Sequence, residues 1–268
     1  MGEDVEAKLE RAAALLRNAR HAVVLTGAGI STPSGIPDFR SPGSGLWEQD
    51  DPMEVASIYA LRRNPQRFYR WVRPLVSLMR PAQPNPAHVA LARLEAAGRI
   101  QAIITQNIDG LHQRAGSRVI LELHGHLRTA TCLNCFRQTS AEGLEETVER
   151  GEVPRCPSCG GVVKPDVILF GEQLPTDVLI AAMEHARQAD LMLVVGSSLM
   201  VMPAAKLPAI THASGGSVLI FNQQSTYADA FAAAVFHADV VETLPRLAKK
   251  CLGEWPAFSP DDTSSGLE

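Results

Sequence analysis

The sequence carries no large excess of charge of either sign and no long apolar run. Lysine and arginine together number 25, and aspartate and glutamate number 29, so the formal charge is −4. This balance gives no electrostatic attraction to nucleic acid or to an anionic membrane, and we expect neither as a direct partner. An apolar run such as Leu191–Val195 is far shorter than the roughly 20 residues that span a bilayer.

An export signal is also lacking. The first residues, Met1-Gly2-Glu3-Asp4, have neither the basic nor the apolar part of a signal peptide. Glu6 breaks the N-myristoylation pattern. We therefore expect a cytoplasmic protein.

Cysteine is scarce, but four of the five cysteines form two C-x-x-C pairs. Because disulfides rarely persist in a reducing cytosol, the pairs Cys132/Cys135 and Cys156/Cys159 favour a metal. Their spacing is typical of a structural zinc site in which protein sulfurs fill all four coordination positions. Cys251 stands alone.

A zinc ribbon can also bind nucleic acid. Residues 132–163 contain few basic residues, and Phe136 is their one aromatic residue, which argues against that role.

Strand-like apolar runs alternate with helical stripes along much of the chain, which predicts βαβ units. The predicted strands are His21–Thr26, Ile100–Thr105, Val119–Leu123, Leu191–Val195 and Val218–Phe221. Helices are predicted at Ala87–Ala97 and Thr176–Ala189. The predicted fold is therefore α/β: a Rossmann-like, doubly wound parallel sheet with a smaller zinc-ribbon-like module and a helical insertion.

Two stretches interrupt the alternation, and they set the predicted domain boundaries. A helical insertion occupies 41–85, where no strand is predicted, and the zinc module occupies 124–165. The Rossmann-like domain then has three parts, 1–40, 86–123 and 166–250. The polar end of the chain predicts a disordered tail over 251–268.

Gly27-Ala28-Gly29 follows the first predicted strand, where a dinucleotide-binding turn belongs. A hydride-transferring dehydrogenase would need a third glycine where Thr32 stands. It would also need an acidic residue for the ribose about twenty positions on, after a second strand, and none stands there. A lone G-x-G can also be a plain structural turn. The following loop joins Asp38, Phe39 and Arg40, which together suggest a flexible cover over a cofactor.

Two later strands are also followed directly by polar residues. Thr105–His112 has four polar residues among its first five positions, where ligands of an open α/β sheet bind. An Asn-x-Asp-Gly turn can also hydrogen-bond only to its own backbone. His124 follows another apolar run and is a candidate general acid or base. It is a better candidate than His126, because it directly follows the strand.

Together these residues resemble the sirtuin family. The matching motifs, in the family's order, are Gly27–Ser31, Gly35–Arg40, Thr105–His112, His124-Gly125, the two cysteine pairs, Phe170–Glu172, Gly196–Ser198 and Asn222. The chain looks like a bacterial or archaeal core sirtuin. The resemblance implies an NAD-dependent protein-lysine deacetylase that consumes NAD as a co-substrate and holds one structural zinc ion.

In the implied reaction, the acetyl-lysine amide oxygen attacks the nicotinamide ribose. The products are nicotinamide, deacetylated lysine and O-acetyl-ADP-ribose. The resemblance implies that His124 is the general base and that Asn107 and Asp109 complete the catalytic set. Gln106 and Asn107 would hold the ribose and a water, while Ile108 and Asp109 would bind the carboxamide.

The resemblance implies further cofactor contacts in the glycine turn, the loop after it and the ends of later strands. These are Gly27, Ala28, Gly29, Thr32, Asp38, Phe39, Arg40, Gly196, Ser197, Ser198, Asn222 and Asp239. Phe39 would shield the reactive sugar, and Arg40 would position the phosphates. Asn222 and Asp239 fall at the adenosine end. The two serines, taken alone, equally suit a helix cap.

The implied partner is an acetyl-lysine-containing protein or peptide. It would add as a strand between Ile168–Glu172 and Leu199–Met202, a β-augmentation in which backbone hydrogen bonds supply the affinity. The implied substrate contacts are Ile168, Phe170, Gly171, Leu199 and Val201.

Acyl preference is implied by one departure from a family motif. Sirtuins that remove acidic acyl groups carry Y-x-x-R after an Asn-Pro, and the matching positions here hold Val72 and Leu75. We therefore expect neutral acyl groups to be preferred over succinyl. Tyr59-x-x-Arg62 has the right spacing but precedes Asn64, so we interpret it as coincidence. In Lys164-Pro165-Asp166 the family often has Arg first and Asn third.

Three alternatives remain at this point. A sirtuin-type mono-ADP-ribosyltransferase would use the same cofactor chemistry on another acceptor. A non-catalytic NAD sensor or zinc-ribbon binding protein would show no turnover. A dehydrogenase would change NADH absorbance, which the incomplete glycine motif makes unexpected.

Overall fold

The computed structural model describes residues 5–38 and 51–253. Its helices are α1 Val5–Asn18, α2 Pro52–Val55, α3 Ile58–Arg63, α4 Pro65–Met79, α5 Pro86–Ala96, α6 Leu111–Arg114, α7 Leu144–Glu149, α8 Thr176–Gln188, α9 Leu207–Ala213 and α10 Val240–Leu252. Its strands are β1 Ala22–Thr26, β2 Ala102–Thr105, β3 Ile120–Glu122, β4 Gly125–Cys132, β5 Gln138–Ser140, β6 Val163–Val167, β7 Leu191–Val195, β8 Ser217–Phe221 and β9 Ala234–Phe236.

Six of these strands form a parallel sheet in the order β3-β2-β1-β7-β8-β9. Strands β2 and β3 follow β1 toward one edge of the sheet, and β8 and β9 follow β7 toward the other edge. The strand order therefore reverses between β1 and β7, and open α/β sheets bind ligands at such a switch point. Thr26 at the end of β1 lies level with Thr105 of β2 and with Val195 of β7. The carboxyl ends of three neighbouring strands therefore meet at one crevice, and the predicted Rossmann-like sheet is confirmed.

Helices cover both faces of this sheet, as a buried parallel sheet requires. Along β1, Val24 packs into an apolar cluster with α1, α5 and α10. Its neighbours Val23 and Leu25 pack into a second cluster with α8 and α9. Because side chains alternate between the faces of a strand, one short apolar run supplies both cores.

Residues 51–85 contain the helices α2, α3 and α4. Ser57 caps α3 by accepting a hydrogen bond from the N–H of Ala60, and Asn64 caps α4 by accepting one from Arg67. Both are preferred N-cap residues, and Pro65 suits the first helical position after Asn64. Residues 41–50 of the predicted insertion lie outside the described part of the chain.

The cysteine-containing stretch forms a second, antiparallel sheet in the order β5-β4-β6. It also contains the short helix α7. The last strand of this sheet runs to Val167, two residues beyond the predicted boundary at 165. The chain therefore returns to the parallel sheet directly from the end of β6.

Strands β4, β5, β6 and β9 were not among the strands predicted from the sequence. The predicted tail was wrong in its start. It began at 251, whereas α10 continues to Leu252 and Cys251 is buried against α1. Residues 254–268 lie outside the described residues. Over residues 5–38 and 51–253, no helix has both the length and the apolar character needed to cross a membrane.

Candidate active site and metal site

A cavity of about 850 Å³ opens at the carboxyl ends of β1, β2 and β7. This volume lies within the range of small-molecule and cofactor sites. Its wall includes the turns after these strands, helix α4, and the segments 167–172 and 196–198. The switch point of the sheet is thus open to a large ligand.

The turns after β1 and β7 touch through glycines. The N–H of Gly29 donates to the carbonyl of Gly196 at 2.9 Å. A Cβ atom built on Gly196, which has φ +59°, would come within 2.2 Å of the Ile30 nitrogen. The close approach that a dinucleotide turn needs is therefore completed by a glycine from β7 and not by position 32, which holds Thr32.

A cluster of hydrogen-bonded polar side chains lies beside the glycine turn. Ser31 Oγ donates to Asp109 Oδ2 at 2.7 Å, and Asn107 Nδ2 donates to the carbonyl of Gly27 at 3.1 Å. Burial raises the pKa of Asp109, although its hydrogen bonds from Leu111 and Ser31 oppose that rise. The sequence motif placed Ser31 beside the turn, but only the fold shows that it orients Asp109.

His124 is held by the backbone of the neighbouring strand end. Its Nδ1 lies 2.9 Å from the carbonyl oxygen of Gln106. Since a carbonyl only accepts hydrogen bonds, Nδ1 carries the proton and Nε2 keeps its lone pair. Burial lowers the pKa of His124, although the bond to Gln106 opposes this. The imidazole is therefore neutral near pH 7 and can accept a proton at Nε2.

A buried polar network supports this strand end from behind, and sequence reasoning missed it. Thr26 Oγ1 donates to Thr105 Oγ1 at 2.8 Å and lies 3.0 Å from His112 Nε2. Thr105 Oγ1 in turn accepts the N–H of Asn107 at 3.0 Å. Burial lowers the pKa of His112 to about 4, so it stays neutral. The available signal was polar residues at the ends of otherwise apolar strands.

Two further polar residues of the cavity wall are Ser197, after β7, and Asp239, at the start of α10. Gln106 Nε2 donates to Ser197 Oγ at 2.9 Å, and Ser197 Oγ lies 3.3 Å from the N–H of Leu199. Ser197 therefore bonds within its loop and does not cap a helix. Asp239 Oδ1 caps α10 by accepting the N–H of Val241, and Asp239 also lines the cavity.

The four paired cysteines come together at one end of the small sheet. Their Sγ atoms all lie within 4.8 Å of one another, with 3.5 Å between Cys132 and Cys159 and 3.8 Å between Cys135 and Cys156. Zn–S bonds of about 2.3 Å in a tetrahedron place the sulfurs ~3.8 Å apart. The cysteines are therefore placed to bind one metal ion, and their thiolate chemistry fits zinc.

Two similar turns build this metal site. After each cysteine pair the chain takes a positive φ, +60° at Phe136 and +71° at Gly160. The next residue, Gly161, packs closely against the cluster, because a Cβ atom there would lie 2.9 Å from Cys132 Sγ. Hydrogen bonds, the largest from the N–H of Gly161, lower the pKa of Cys159 to about 6, whereas the neighbouring thiols and burial raise the pKa of Cys135 to about 11.

The sequence and the fold of this chain are similar to those of known proteins. A model of the Sir2 family matches residues 27–203. The chain belongs to the Sir2 family. It is 46% identical to NAD-dependent protein deacylase 2 of Archaeoglobus fulgidus over 247 residues, which is 92% of this chain and 97% of that protein.

Solved Sir2 structures show the same fold. A structure described as a Sir2–p53 peptide–NAD+ complex has a TM-score of 0.83 and 43% identity, and the alignment covers 90% of this chain and 98% of the other. A second, with deacetylated p53 peptide and 3'-O-acetyl ADP-ribose, has a TM-score of 0.86 at 43% identity, with the same coverage.

Most residues predicted from the sequence line the cavity of this Sir2 chain. They are Gly27, Ala28, Gly29, Thr32, Asp38, Gln106, Asn107, Ile108, Asp109, His124, Ile168, Phe170, Gly171, Gly196, Ser197, Ser198, Val201, Asn222 and Asp239. Leu199 does not: its side chain is buried in the apolar core beneath, so only its backbone can face a substrate. Phe39 and Arg40 lie outside the described residues.

Proposed function

We propose that this chain is an NAD-dependent protein-lysine deacetylase that prefers neutral acyl groups. The observation that carries the proposal is His124, neutral and with Nε2 unprotonated, on the wall of one cavity that also contains the glycine turn and the segment 167–172. The A. fulgidus relative is named a deacylase, and related Sir2 structures contain NAD+, peptide and acetyl-ADP-ribose.

NAD, as co-substrate, would supply an electrophilic ribose carbon with nicotinamide as the leaving group. The backbone of the turns at Gly27, Gly29 and Gly196 would face its phosphates, because the missing Cβ atoms let these two turns pack against each other at the cavity. Asn222 and Asp239 would hold the adenosine side. Ser197, fixed by Gln106, would bond a ribose or phosphate oxygen.

Asn107 and Asp109 would orient the nicotinamide end. Asp109 is fixed through both carboxylate oxygens, by the hydroxyl of Ser31 and by the N–H of Leu111. Asn107 is fixed by Gly27 and by Thr105. A group held in this way contributes mainly by positioning, because little rotamer entropy is lost when the substrate binds.

His124 would be the general base. Its Nδ1–H is committed to Gln106, so a proton from a ribose hydroxyl would go to Nε2. The buried environment excludes water and disfavours the imidazolium in the resting state.

We propose that the acyl-lysine peptide binds by β-augmentation between the segments 168–172 and 199–202. Among the described residues, the backbone groups of Gly171 and Met200 make no hydrogen bond to another part of the backbone. An added strand would supply their partners. Val201 and Met202 line the cavity on one side of this gap, and Phe170 lines it on the other.

The preference for neutral acyl groups is supported by the wall of the cavity next to α4. Val72 and Leu75, the positions that match the acidic-acyl motif, both line it. Tyr59 and Arg62, which have the motif's spacing, are absent from the described lining residues. Among the described residues that line the cavity there is no lysine or arginine, so an acidic acyl group would meet apolar side chains on this wall.

We propose that the zinc ion is structural, since four cysteines leave no coordination position for a substrate. The domain division into a three-part Rossmann-like domain, an insertion and a zinc module is also part of the proposal. Because its ligand thiols must stay reduced, we propose a cytoplasmic location.

The test uses the purified full chain, NAD and an acetyl-lysine peptide, followed by mass spectrometry. We expect loss of the acetyl group, equimolar nicotinamide and acetyl-ADP-ribose. His124→Asn keeps a donor to Gln106 but has no base, and should reduce turnover by about 10²–10⁴-fold. No deacetylation by the wild type, or unchanged turnover in His124→Asn, would contradict the proposal. ADP-ribosylated protein in place of deacetylated peptide would indicate a transferase.

A further inference from the structure

Lys164 is a buried cation that the proposed reaction does not use. It lies on β6 and is only 8% exposed. Its Nζ donates to the carbonyl of Val167 at 2.7 Å and to Glu172 Oε2 at 3.0 Å. Lysine is rarely buried unless it is paired, and Glu172 supplies the opposite charge here.

The Glu172 carboxylate closes a turn around that cation. The same oxygen that faces Lys164 accepts the N–H of Leu169 at 2.9 Å, and the N–H of Glu172 donates to the carbonyl of Leu169 at 3.0 Å. The two side chains thus fix the backbone at Val167 and Leu169. They act together with the backbone hydrogen bonds that Phe170 makes to Ala56 and Ile58.

The same segment forms part of the wall on which the peptide would bind. Ile168 and Gly171 line the large cavity. The N–H of Ile168 donates to the carbonyl of His124 at 2.8 Å. A shift of this segment would therefore displace the peptide wall relative to the proposed base.

We propose that Lys164 and Glu172 are positioning residues for the acyl-lysine peptide. The inference rests on the proposed function. The ion pair holds segment 167–172 in the conformation that leaves Gly171 available to an added strand. It also neutralises a carboxylate that lines the cavity, since Glu172 belongs to its wall. Without Lys164, an unpaired negative charge would stand beside the peptide path.

A positioning role for the ion pair can be distinguished from a general effect on stability, because the peptide and NAD would bind at different ends of the cavity. Neither Lys164 nor Glu172 hydrogen-bonds to the glycine turn within the described residues. Loss of the pair should therefore weaken peptide binding and leave NAD binding nearly unchanged. A change that only destabilised the fold would affect both substrates alike.

The experiment compares Lys164→Met, Lys164→Arg and Glu172→Gln with the wild type. For Lys164→Met we expect the peptide KM, and the peptide Kd measured without NAD by fluorescence anisotropy, to rise about tenfold or more. The KM for NAD should change less than about threefold. Arginine keeps the charge and the donors, so Lys164→Arg should restore peptide binding to within about threefold.

Three outcomes would overturn the inference: unchanged peptide Kd in Lys164→Met and Glu172→Gln, equal losses for peptide and NAD, or no recovery in Lys164→Arg. If Lys164→Met does not fold, Glu172→Gln decides the question, because glutamine still accepts the N–H of Leu169 and removes only the charge. A wild type that binds the peptide without deacetylating it would contradict the proposed function and leave the peptide-binding result interpretable.

Discussion

The imidazole of His124 and the backbone carbonyl of Gln106 lie 2.9 Å apart, and this contact selects the tautomer of the histidine. The carbonyl belongs to the strand end that also presents Asn107 to the cavity. The proposed base and the proposed cofactor contacts are therefore fixed by the same stretch of backbone. The pH dependence of the reaction should report on this histidine.

Because burial lowers the pKa of His124, the neutral form that can accept a proton persists below the ordinary pKa of about 6.5. The acid limb of kcat/KM should therefore have its midpoint below pH 6.5, and activity due to this group should be level above it. Initial rates from pH 4.5 to 8.5 at fixed ionic strength measure this profile. A midpoint above 6.5 would contradict a neutral, buried base.

The fifth cysteine provides the control for the zinc site. Cys132→Ala should lose the metal and much of the stability, because metal binding energy is also folding energy. Cys251 lies on α10, is buried against α1 and does not belong to the cluster, so Cys251→Ala should keep about one zinc per chain. Metal analysis after gel filtration measures both. Full zinc content in Cys132→Ala would refute the ligand assignment.

Gly196 tests the contact between the two turns. Gly196→Ala places a Cβ within 2.2 Å of the Ile30 nitrogen in addition to the strain of φ +59°. We expect a loss of roughly 3 kcal/mol in unfolding free energy and at least about tenfold weaker NAD binding. Gly98 has φ +70° with no atom within 4 Å of its Cβ, so Gly98→Ala carries the backbone strain alone. Calorimetry should show unchanged NAD affinity in that control, and equal effects in the two variants would contradict the contact.

The order of the strands explains why part of this site could be predicted from the sequence. The cysteine spacing and the polar residues after β2 and β3 are local patterns. They predicted that the four cysteines come together and that Asn107 and His124 lie at the cavity. The contact of Gly29 with Gly196 joins residues far apart in the chain. It exists because β7 lies next to β1, and no local pattern specifies that neighbour.

Burial explains the remaining differences. Leu199 and Val201 are both apolar and two residues apart, yet one is in the core and the other lines the cavity. Leu199 takes φ +54°, so residues 199 and 201 do not share one face as they would in an extended strand. The pairing of Lys164 with Glu172 was likewise invisible, because sequence alone does not show that a lysine is buried.

The acyl preference can be tested on one face of α4. Leu75 lines the cavity, whereas Leu78 on the same helix is 45% exposed and is not among the described lining residues. In Val72→Tyr/Leu75→Arg, a guanidinium would face the acyl group and could pair with a terminal carboxylate. The ratio of kcat/KM for succinyl-lysine to that for acetyl-lysine should rise by about tenfold or more. Leu78→Arg adds the same charge outside the cavity and should leave the ratio unchanged, so a similar rise in both variants would show that α4 does not select the acyl group.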